Sequence, residues 1–429
     1  MRYCYSALYY CLLPLIVLRM LWRSRRARSY RARLPERFGL FPQRAELAQP
    51  AIWLHAVSVG ETLAAAPLVE ALLSEYPDHR IVLTTTTPTG SERVRALFGE
   101  RVFHVYAPWD LPGPVRRFLR RTRPSLLVLM ETELWPNILH YSQAVGCRVM
   151  LANARLSERS ARGYGRLGGL TRQMLGQLDI VACQSKAEGE RFLQLGLPGS
   201  ALRVTGSIKF DLSLDAELVE RAAGLRRELA PQGRPILVAA STHPGEEQQL
   251  LAAFGQIRQA PGAVLDRCLL LLVPRHPERF DEVFALCRKQ GWRVARRSVD
   301  GVAAATDDIL LGDTMGELLL LLGTATVAVV GGSLVEHGGH NVLEAAAWGV
   351  PVVTGPYMHN FTASSELLIT AAAMLKLDSA SELAPRLLEL LGDPRRCAQM
   401  GAAGRQVLAD NRGASQRLLA LVAQQLGRA

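Results

Sequence analysis

A carboxylate lies between a predicted strand and a predicted helix in the stretch WLHAVSVGETLAAAPLVEALL, residues 53–73. Residues 53–57 are apolar enough for a buried strand, and residues 62–73 are rich in the alanine and leucine that favour helices. The Ser58-x-x-Glu61 spacing between them is typical of a capping box, in which both side chains bind backbone N–H groups at the helix start. The same turn follows the carboxyl end of a strand, where open α/β sheets bind ligands. Glu61 is therefore a helix cap, a catalytic group, or both.

The first half of the chain contains further charged residues beside predicted strands. Glu131 and its neighbour Glu133 follow a strand directly in VLMETELWPN, and a buried strand has no packing use for charge. Lys209 lies in TGSIKFD near the expected domain junction, and Arg155 and Arg159 in ANARLSERS could hold an anionic substrate. The alternatives are structural ion pairs for the glutamates and Lys209, and a solvated face for the arginines.

The second half contains a glycine-rich segment, TVAVVGGSLVEHGGHNVLEAAAWGVPVVTGP, with the pattern strand, loop, helix, strand. Its glycines would let the backbone approach a ligand closely. Backbone N–H groups from Asn341 through Val342 and Leu343 to Glu344 open the helix and predict a phosphate site. Glu344 could accept hydrogen bonds from ribose hydroxyls. The alternative is that the loop only packs a Rossmann-like unit.

Two more loops follow strands of the same half. LLLVPRHPERF ends a strand with Pro274, Arg275 and His276, which supplies a basic group. In LLGDTMGEL another strand is followed by residues 315–317, which are Met315, Gly316 and Glu317. The backbone of this loop could hold a base or sugar. Three such loops at the carboxyl ends of strands in one domain predict a nucleotide site.

The elements that must position these residues alternate as strand and helix along most of the 429 residues, which predicts parallel sheets covered on both faces. The alternation weakens after residue 212 and resumes at PILVAAST. We therefore predict two doubly wound α/β domains with a cleft between them. The predicted segments are 1–33 as membrane anchor and basic segment, 34–212 as the first domain, 213–233 as linker, 234–412 as the second domain, and 413–429 as a C-terminal helix.

The N-terminus accounts for most of the net charge of +11, because its first 33 residues contain eight arginines and no acid, and 11 − 8 leaves +3. This distribution argues against nucleic-acid binding, which requires a basic face on a domain. Residues 3–18 are apolar and aromatic, and arginines follow them, as in an uncleaved anchor with the body on the cytoplasmic side of an anionic membrane. A cleaved signal peptide and a buried N-terminal helix are the alternatives.

Metal and disulfide chemistry have little support in the sequence. The seven cysteines are scattered without a C-x-x-C pair, and the chain has no Asp-x-Asp pair and no clustered His/Cys ligand set. We expect no catalytic metal and no other cofactor.

Taken together, eight blocks resemble the 3-deoxy-D-manno-octulosonic acid (Kdo) transferases of lipopolysaccharide synthesis: RLPERFG, HAVSVGE, METELWPN, ANARLS, GSIKFD, PRHPERF, GDTMGEL and GGHNVLEAAAWGVPVVTGP. The resemblance runs from about residue 34 to residue 356. It implies a GT-B fold, with an acceptor-binding and a nucleotide-sugar-binding Rossmann-like domain facing across a cleft. It also implies inverting transfer of Kdo from CMP-Kdo to the tetraacylated lipid A precursor, lipid IVA, at the inner membrane.

The resemblance also implies roles for single residues. Glu61 matches the general base, and Glu131 and Lys209 match residues that stabilise the transition state. The CMP-binding loops are matched by Pro274 and Arg275, by 315–317 and by 341–344. CMP-Kdo is a substrate, so no cofactor is implied.

Two other functions are compatible with parts of the sequence. A sugar-nucleotide epimerase of the same fold would share the nucleotide site but would not need the anchor. A non-catalytic basic membrane or nucleic-acid adaptor would explain the arginines but not the carboxylates at strand ends.

Overall fold

The computed structural model describes residues 1–24, 31–42, 49–260 and 265–427. The middle of the predicted basic segment, residues 25–30, lies outside these ranges. The chain divides into two compact units: unit 1 is Met1–Asp211 with Arg412–Ala429, and unit 2 is Leu212–Asn411. The segment 213–233, predicted to be a linker, contains a helix of unit 2, and the C-terminal helix belongs to unit 1.

Unit 1 is built on a seven-stranded parallel sheet with the order β3-β2-β1-β4-β5-β6-β7. Its strands are β1 Ala51–His55, β2 Arg80–Thr85, β3 Phe103–Tyr106, β4 Pro124–Met130, β5 Arg148–Ala154, β6 Ile180–Cys183 and β7 Leu202–Val204. Its α-helices are α1 Arg2–Ser24, α2 Val59–Glu75, α3 Pro88–Phe98, α4 Pro112–Thr122, α5 Pro136–Ala144, α6 Glu158–Arg166, α7 Gly168–Leu175 and α8 Lys186–Gln194. Short 3₁₀ helices are Leu34–Phe38, Gly99–Arg101, Gly199–Ala201 and Ile208–Asp211.

Unit 2 repeats the plan with a second seven-stranded parallel sheet, in the order β10-β11-β9-β8-β12-β13-β14. Its strands are β8 Ile236–Thr242, β9 Leu269–Pro274, β10 Val294–Arg296, β11 Ile309–Leu311, β12 Val327–Val330, β13 Val352–Thr354 and β14 Met374–Lys376. Its α-helices are α9 Ala216–Leu229, α10 Glu246–Gln259, α11 Phe280–Lys289, α12 Arg297–Asp300, α13 Leu318–Leu322, α14 Leu343–Trp348, α15 Thr362–Thr370, α16 Leu383–Gly392 and α17 Pro394–Asn411. Its 3₁₀ helices are Leu265–Arg267, Pro277–Arg279 and Ala380–Glu382.

Both faces of each sheet are covered, as continuous apolar strands predict. In β1 the side chain of Trp53 packs into one core of unit 1, whereas Ile52 and Leu54 pack into the core on the opposite face. This alternation follows from the two-residue period of a strand. The last helix, α18 Ala414–Gln425, closes the second of these cores with Leu418 and Val422. The prediction of two parallel-sheet α/β domains is therefore confirmed.

The N-terminal helix α1 is long and apolar enough to cross a membrane, by length and composition alone. One stripe of the helix is buried or half-buried, at residues 2, 5, 6, 9, 13, 16, 17, 20 and 24, and this spacing is that of a single helical face. The stripe is attached through polar groups, because Arg2 Nη1 donates to Asn137 Oδ1 at 3.0 Å and Asn137 Nδ2 donates to Ser6 Oγ at 3.0 Å. Leucines lie on the opposite, exposed face.

Candidate functional site

The strand order of unit 1 determines which loops meet. The chain leaves β1 toward β2 on one side and returns to β4 on the other, so the crossovers diverge between β1 and β4. Ligands of doubly wound sheets bind where crossovers diverge, at the carboxyl ends of the strands. Glu61 follows β1 and Glu131 follows β4, so the two predicted catalytic carboxylates flank this point.

Glu61 is both a cap residue and a buried acid. Ser58 is the N-cap of α2, and its Oγ accepts from the Glu61 N–H at 3.3 Å. The Glu61 carboxylate accepts from the Val57 N–H at 2.8 Å and from the Ser58 hydroxyl at 2.9 Å. The capping interaction predicted from Ser58-x-x-Glu61 is therefore present, with Val57 supplying the backbone donor.

The environment of Glu61 favours its protonated form. Burial, which leaves the residue 9% exposed, raises the pKa of Glu61 to about 7, and the nearby charges of Glu133 and Glu131 also raise it. The hydrogen bonds from Val57 and Ser58 act in the opposite direction but are outweighed. A carboxylate whose pKa is near neutrality is well suited to accept a proton in a reaction at physiological pH.

Lys209 lies against Glu131 on the same sheet edge. Its Nζ is 3.7 Å from Glu131 Oε1, and about a quarter of each side chain is exposed. The third carboxylate, Glu133, accepts from Trp135 Nε1 at 2.9 Å, and burial raises its pKa. The carboxyl ends of the strands in unit 1 therefore bring together Glu61, whose pKa is raised, and the Lys209–Glu131 ion pair.

Two residues at this edge have left-handed backbone conformations that non-glycine residues rarely adopt. They are Glu131, with φ 56°, and Asn153 at the end of β5, with φ 51°. The Asn153 Oδ1 accepts from the Ile208 N–H at 3.2 Å and so fixes the 3₁₀ helix that carries Lys209. Such strain persists where surrounding contacts hold it, and it is frequent at functional sites.

The two predicted acceptor arginines differ in position. Arg155 directly follows β5, and its backbone N–H donates to the Glu131 carbonyl at 3.4 Å. Its positive charge helps to lower the pKa of Glu188, which burial raises overall. Arg159 lies in the first turn of α6 and is exposed.

The crossovers of unit 2 diverge between β8 and β12. The predicted nucleotide residues follow β9, next to β8, follow β12, and follow β11, one strand further out. Pro274 ends β9, and the Arg275 side chain beyond it is exposed. Asn341 Nδ2 donates to Glu344 Oε1 at 3.0 Å. Burial raises the pKa of Glu344, while the Asn341 hydrogen bond and the Arg275 charge act against that rise.

The predicted 315–317 loop after β11 divides into an open and a fixed part. Met315 is 66% exposed, and Gly316 has φ 86°, which favours glycine. Glu317 is held by Arg297, with Arg297 Nε donating at 3.1 Å and Nη2 at 3.0 Å. This bond to the Arg297 guanidinium lowers the pKa of Glu317, so the carboxylate is already paired within unit 2.

The glycine-rich loop after β12 is bound to the protein itself. The buried Glu246 carboxylate accepts from the N–H groups of Gly332, Ser333 and Leu334 at 2.8, 3.0 and 2.9 Å. A Cβ at Gly331 would be 2.6 Å from the Ser241 carbonyl oxygen. Gly331 therefore makes room for a protein group, and close approach of this loop to a ligand stays a prediction.

Sequence reasoning missed several residues that shape the two sites: Asn153, His243, Glu246 and His340. A polar residue that ends an apolar strand was a usable signal for Asn153. For His243, the signal was its position in STHPG after a strand. The hydrogen bonds of Glu246 to a loop more than eighty residues away had no signal in the sequence.

Comparison with known proteins connects this geometry with a family. A sequence profile described as 3-deoxy-D-manno-octulosonic-acid transferase (kdotransferase) matches residues 32–212. The 3-deoxy-D-manno-octulosonic acid transferase of Haemophilus influenzae is 42% identical over 422 residues, which cover 98% of each chain. The enzyme of the same name from Bordetella pertussis is 41% identical over 426 residues, 97% of each chain.

Solved structures support the fold alone. A glycosyltransferase from Rickettsia africae matches with TM-score 0.58 and 12% identity, covering 89% of this chain and 100% of its own. The UDP-GlcNAc 2-epimerase of Neisseria meningitidis also matches with TM-score 0.58 and 12% identity, covering 88% and 100%. A transferase and an epimerase thus share the fold, and only the near full-length sequence identity distinguishes between them. On that identity, the chain is a glycosyltransferase and belongs to the 3-deoxy-D-manno-octulosonic acid transferase family.

Proposed function

We propose that this protein transfers Kdo from CMP-Kdo to the tetraacylated lipid A precursor, lipid IVA, with inversion at the anomeric carbon. Glu61 accepts the proton of the attacking acceptor hydroxyl. The bond from that oxygen to the anomeric carbon forms as the bond to the phosphate oxygen breaks, and CMP leaves with the electron pair. The observation that carries this proposal is the buried Glu61 carboxyl group, with its pKa of about 7, at the divergence point of unit 1.

Glu131 and Lys209 have a supporting role in this proposal. As CMP leaves the anomeric carbon, positive charge develops on the sugar ring and negative charge on the phosphate. Charged side chains that are already in position stabilise both of these developing charges. The pair separated by 3.7 Å supplies one charge of each sign on the edge that carries Glu61. Arg155 and Arg159 are proposed to contact phosphate groups of the anionic acceptor.

Release of CMP tests the proposed reaction directly. Purified protein should release CMP only when CMP-Kdo and lipid IVA are both present. An epimerase would alter the donor sugar without the acceptor, and an adaptor would release no CMP. Either of those results would overturn the proposal.

Unit 2 is proposed to bind the donor through Arg275 and Glu344, with 315–317 and 341–343 lining the nucleotide. We expect Arg275→Ala to weaken CMP binding about tenfold or more, because a charge-assisted hydrogen bond contributes about 1.5–3 kcal/mol. Glu344→Ala should weaken CMP binding about fivefold, since one ribose hydrogen bond contributes roughly 1 kcal/mol. Isothermal titration with CMP measures both, and Arg288→Ala on α11 is the control. Unchanged affinity in both variants would contradict this donor site.

Transfer is proposed to proceed without a divalent metal or other cofactor. Among the residues that the structure describes, no group of three or more His, Cys, Asp or Glu side chains could hold a metal ion. The leaving phosphate can instead be stabilised by Arg275. We therefore expect the rate in excess EDTA to match the untreated rate within about twofold, whereas loss of activity restored by magnesium would contradict this expectation.

The protein is further proposed to act at the anionic surface of the inner membrane, with its body on the cytoplasmic side. Helix α1 supports this because Leu8, Leu15 and Leu18 are about 60% exposed, while Arg2 and Ser6 on the buried stripe are hydrogen-bonded to Asn137. A helix attached in this way along one face fits a position in the membrane interface with its leucines in the acyl layer. A cavity of about 540 Å³ between α4 and α5, lined by Arg116 and Arg120 among others, fits anionic headgroups.

Replacement of Leu8, Leu15 and Leu18 together by asparagine should move most of the protein from the membrane pellet to the soluble fraction. Each leucine withdrawn from the acyl layer loses about 1.5–3 kcal/mol. The melting temperature should stay nearly constant, because these side chains are exposed. Sedimentation and thermal melting measure the two effects.

The control for this experiment replaces exposed apolar residues elsewhere, Leu193, Val299 and Leu367, by asparagine. That variant should remain in the membrane pellet. If the α1 variant also sediments fully with membranes, the anchor lies outside α1.

A further inference from the structure

Four imidazoles converge where the crossovers of unit 2 diverge. His243 follows β8, His276 follows β9, and His337 and His340 lie in the loop after β12. The His243 ring is stacked on His337 with centroids 4.1 Å apart and meets the edge of His276 at 5.5 Å. His243 is buried, whereas His276 and His337 are exposed, so the cluster extends from the interior of unit 2 to its surface.

The innermost contact of this imidazole cluster is a hydrogen bond between two histidine rings. His243 Nε2 and His340 Nε2 are 2.8 Å apart, and the ring planes differ by only 6°. The ring centroids are 5.0 Å apart, the separation expected when two coplanar rings meet through one nitrogen each. One ring must therefore donate its Nε2 proton to the bare Nε2 of the other. A second proton cannot be placed between these two nitrogens, and it would have to bind at an outer Nδ1.

The groups around this histidine pair are mostly cationic or already satisfied. Arg275, Arg279, His276 and His337 all act to lower the pKa of His243, after burial, which is the largest cause. Burial likewise lowers the pKa of His340, and the pKa of each member of the pair is about 4. The pair is therefore uncharged at neutral pH.

The carboxylates nearby are committed to other donors. Glu246 accepts from the His243 backbone N–H and from three N–H groups of the loop after β12. Glu247 is paired with Arg279 at 2.7 Å, and Glu344 accepts from Asn341. Among the residues that the structure describes, no carboxylate is hydrogen-bonded to the ring of His243 or His340. Within the described ranges, the Arg275 side chain has no hydrogen bond or ion pair either, so an anion from solution could bind beside this pair and Arg275.

The loop that carries His340 is shaped to hold the ring in this position. Gly332 has φ 65°, and a Cβ there would lie 3.0 Å from His340 Cδ2. A side chain at this position would push the imidazole out of the pair, and its backbone conformation also favours glycine. The residues on either side, Arg275 before His276 and Asn341 after His340, belong to the proposed donor site.

We propose that the His243–His340 pair is a proton-accepting subsite for the phosphate group of a cytidine phosphate, and that binding of this group draws a proton from solvent onto the pair. This inference rests on the proposed donor site in unit 2. A bound phosphate stabilises the imidazolium form that burial disfavours, so ligand binding and proton binding become coupled.

The added proton has a use in the reaction. When the bond between the anomeric carbon and the phosphate oxygen breaks, the electron pair stays on the phosphate, whose charge changes from one to two negative units. An imidazolium already at the subsite offsets that second charge. The proton returns to solvent when CMP leaves, so the pair is unchanged over a full cycle.

Titration calorimetry of the full chain with CMP at pH 7.5 tests the coupling. The binding enthalpy is measured in buffers with different ionisation enthalpies, ACES and Tris, and the dependence gives the number of protons taken up. We expect an uptake of at most one proton per CMP in the wild type, and of about half a proton if the bound phosphate raises the pKa of one imidazole to the working pH of 7.5. Cytidine, which lacks the phosphate, should bind without proton uptake.

Variants assign the proton to the pair. His340→Gln and His243→Asn should each abolish most of the uptake and weaken CMP binding more than cytidine binding. His140→Gln on α5 of unit 1 is the control and should keep the full uptake. Because the comparison of CMP with cytidine uses the wild type, a variant that fails to fold does not remove the test.

Two results would overturn the inference. The first is CMP binding to the wild type with the same binding enthalpy in ACES and in Tris, which would leave the proposed donor site intact. Absence of CMP binding to the wild type would overturn both the subsite and the donor site on which it rests.

Discussion

Glu61→Gln should be a folded protein that binds CMP and transfers Kdo about 10²–10⁴-fold more slowly than the wild type. An amide cannot accept the proton of the acceptor hydroxyl at neutral pH, so the chemical step loses its base. CMP binding should persist, because the proposed donor residues belong to unit 2. The measurements are the transfer rate under saturating substrates and the CMP affinity.

The fold should tolerate this substitution because glutamine can keep both contacts. In the wild type the Glu61 carboxylate accepts from the Val57 N–H at 2.8 Å and from the Ser58 hydroxyl at 2.9 Å. In the variant the glutamine carbonyl oxygen can accept from the Val57 N–H, and its amide can donate to Ser58 Oγ. Complete loss of the cap would cost about 0.5–2 kcal/mol. A melting temperature close to that of the wild type, combined with the loss of rate, separates the base from the cap.

The pH dependence follows from the raised pKa of Glu61. The base must be ionised, so the wild-type rate should rise about tenfold per pH unit below its pKa of about 7 and level off above it. The folded protein holds this proton more tightly than the unfolded chain, whose pKa is near 4.5. Between these two pH values the contribution of Glu61 to the free energy of unfolding therefore falls as pH rises.

The control for Glu61→Gln is Glu75→Gln at the exposed end of the same helix, which should retain full activity. A fully active Glu61→Gln variant would contradict the base role and leave Glu61 as a helix cap. The same conclusion would follow if the rate fell only in proportion to the folded fraction, since the folded molecules would then be fully active.

Lys209→Gln should lower the transfer rate about 10²–10³-fold, the usual effect of removing one preorganised group that stabilises the transition state. The effect on stability should be small. A lysine and a carboxylate that are each about a quarter exposed, with atoms 3.7 Å apart, contribute roughly 0–1 kcal/mol to folding. Transfer rate and thermal melting of the same preparation measure the two effects.

Lys186→Gln, at the exposed start of α8, removes the same charge elsewhere in unit 1 and should leave the rate unchanged. If Lys209→Gln retains more than a third of the wild-type rate, the pair with Glu131 is structural. Glu131→Gln should then also be active, so the two variants together decide whether this pair acts in the reaction.

The sequence by itself determined the fold class and the family. Continuous apolar strands such as residues 124–130 must be buried on both faces, and their alternation with helices leaves parallel sheets as the solution. The Ser58-x-x-Glu61 cap was also predictable, because it depends only on residues within one turn. Eight motifs in one order indicated the family, which near full-length identity to known members then established.

Only the tertiary structure decided what surrounds each of these residues. The order of strands, which short-range patterns do not encode, brings the loop after β1 beside the loop after β4, and burial there raises the pKa of Glu61. The same kind of long-range pairing joins His243 to His340 across ninety-seven positions of the chain. It also commits the N–H groups of the glycine-rich loop to Glu246. The burial of a site and the charges around it depend on residues that are distant in the sequence, so they cannot be predicted from the local composition.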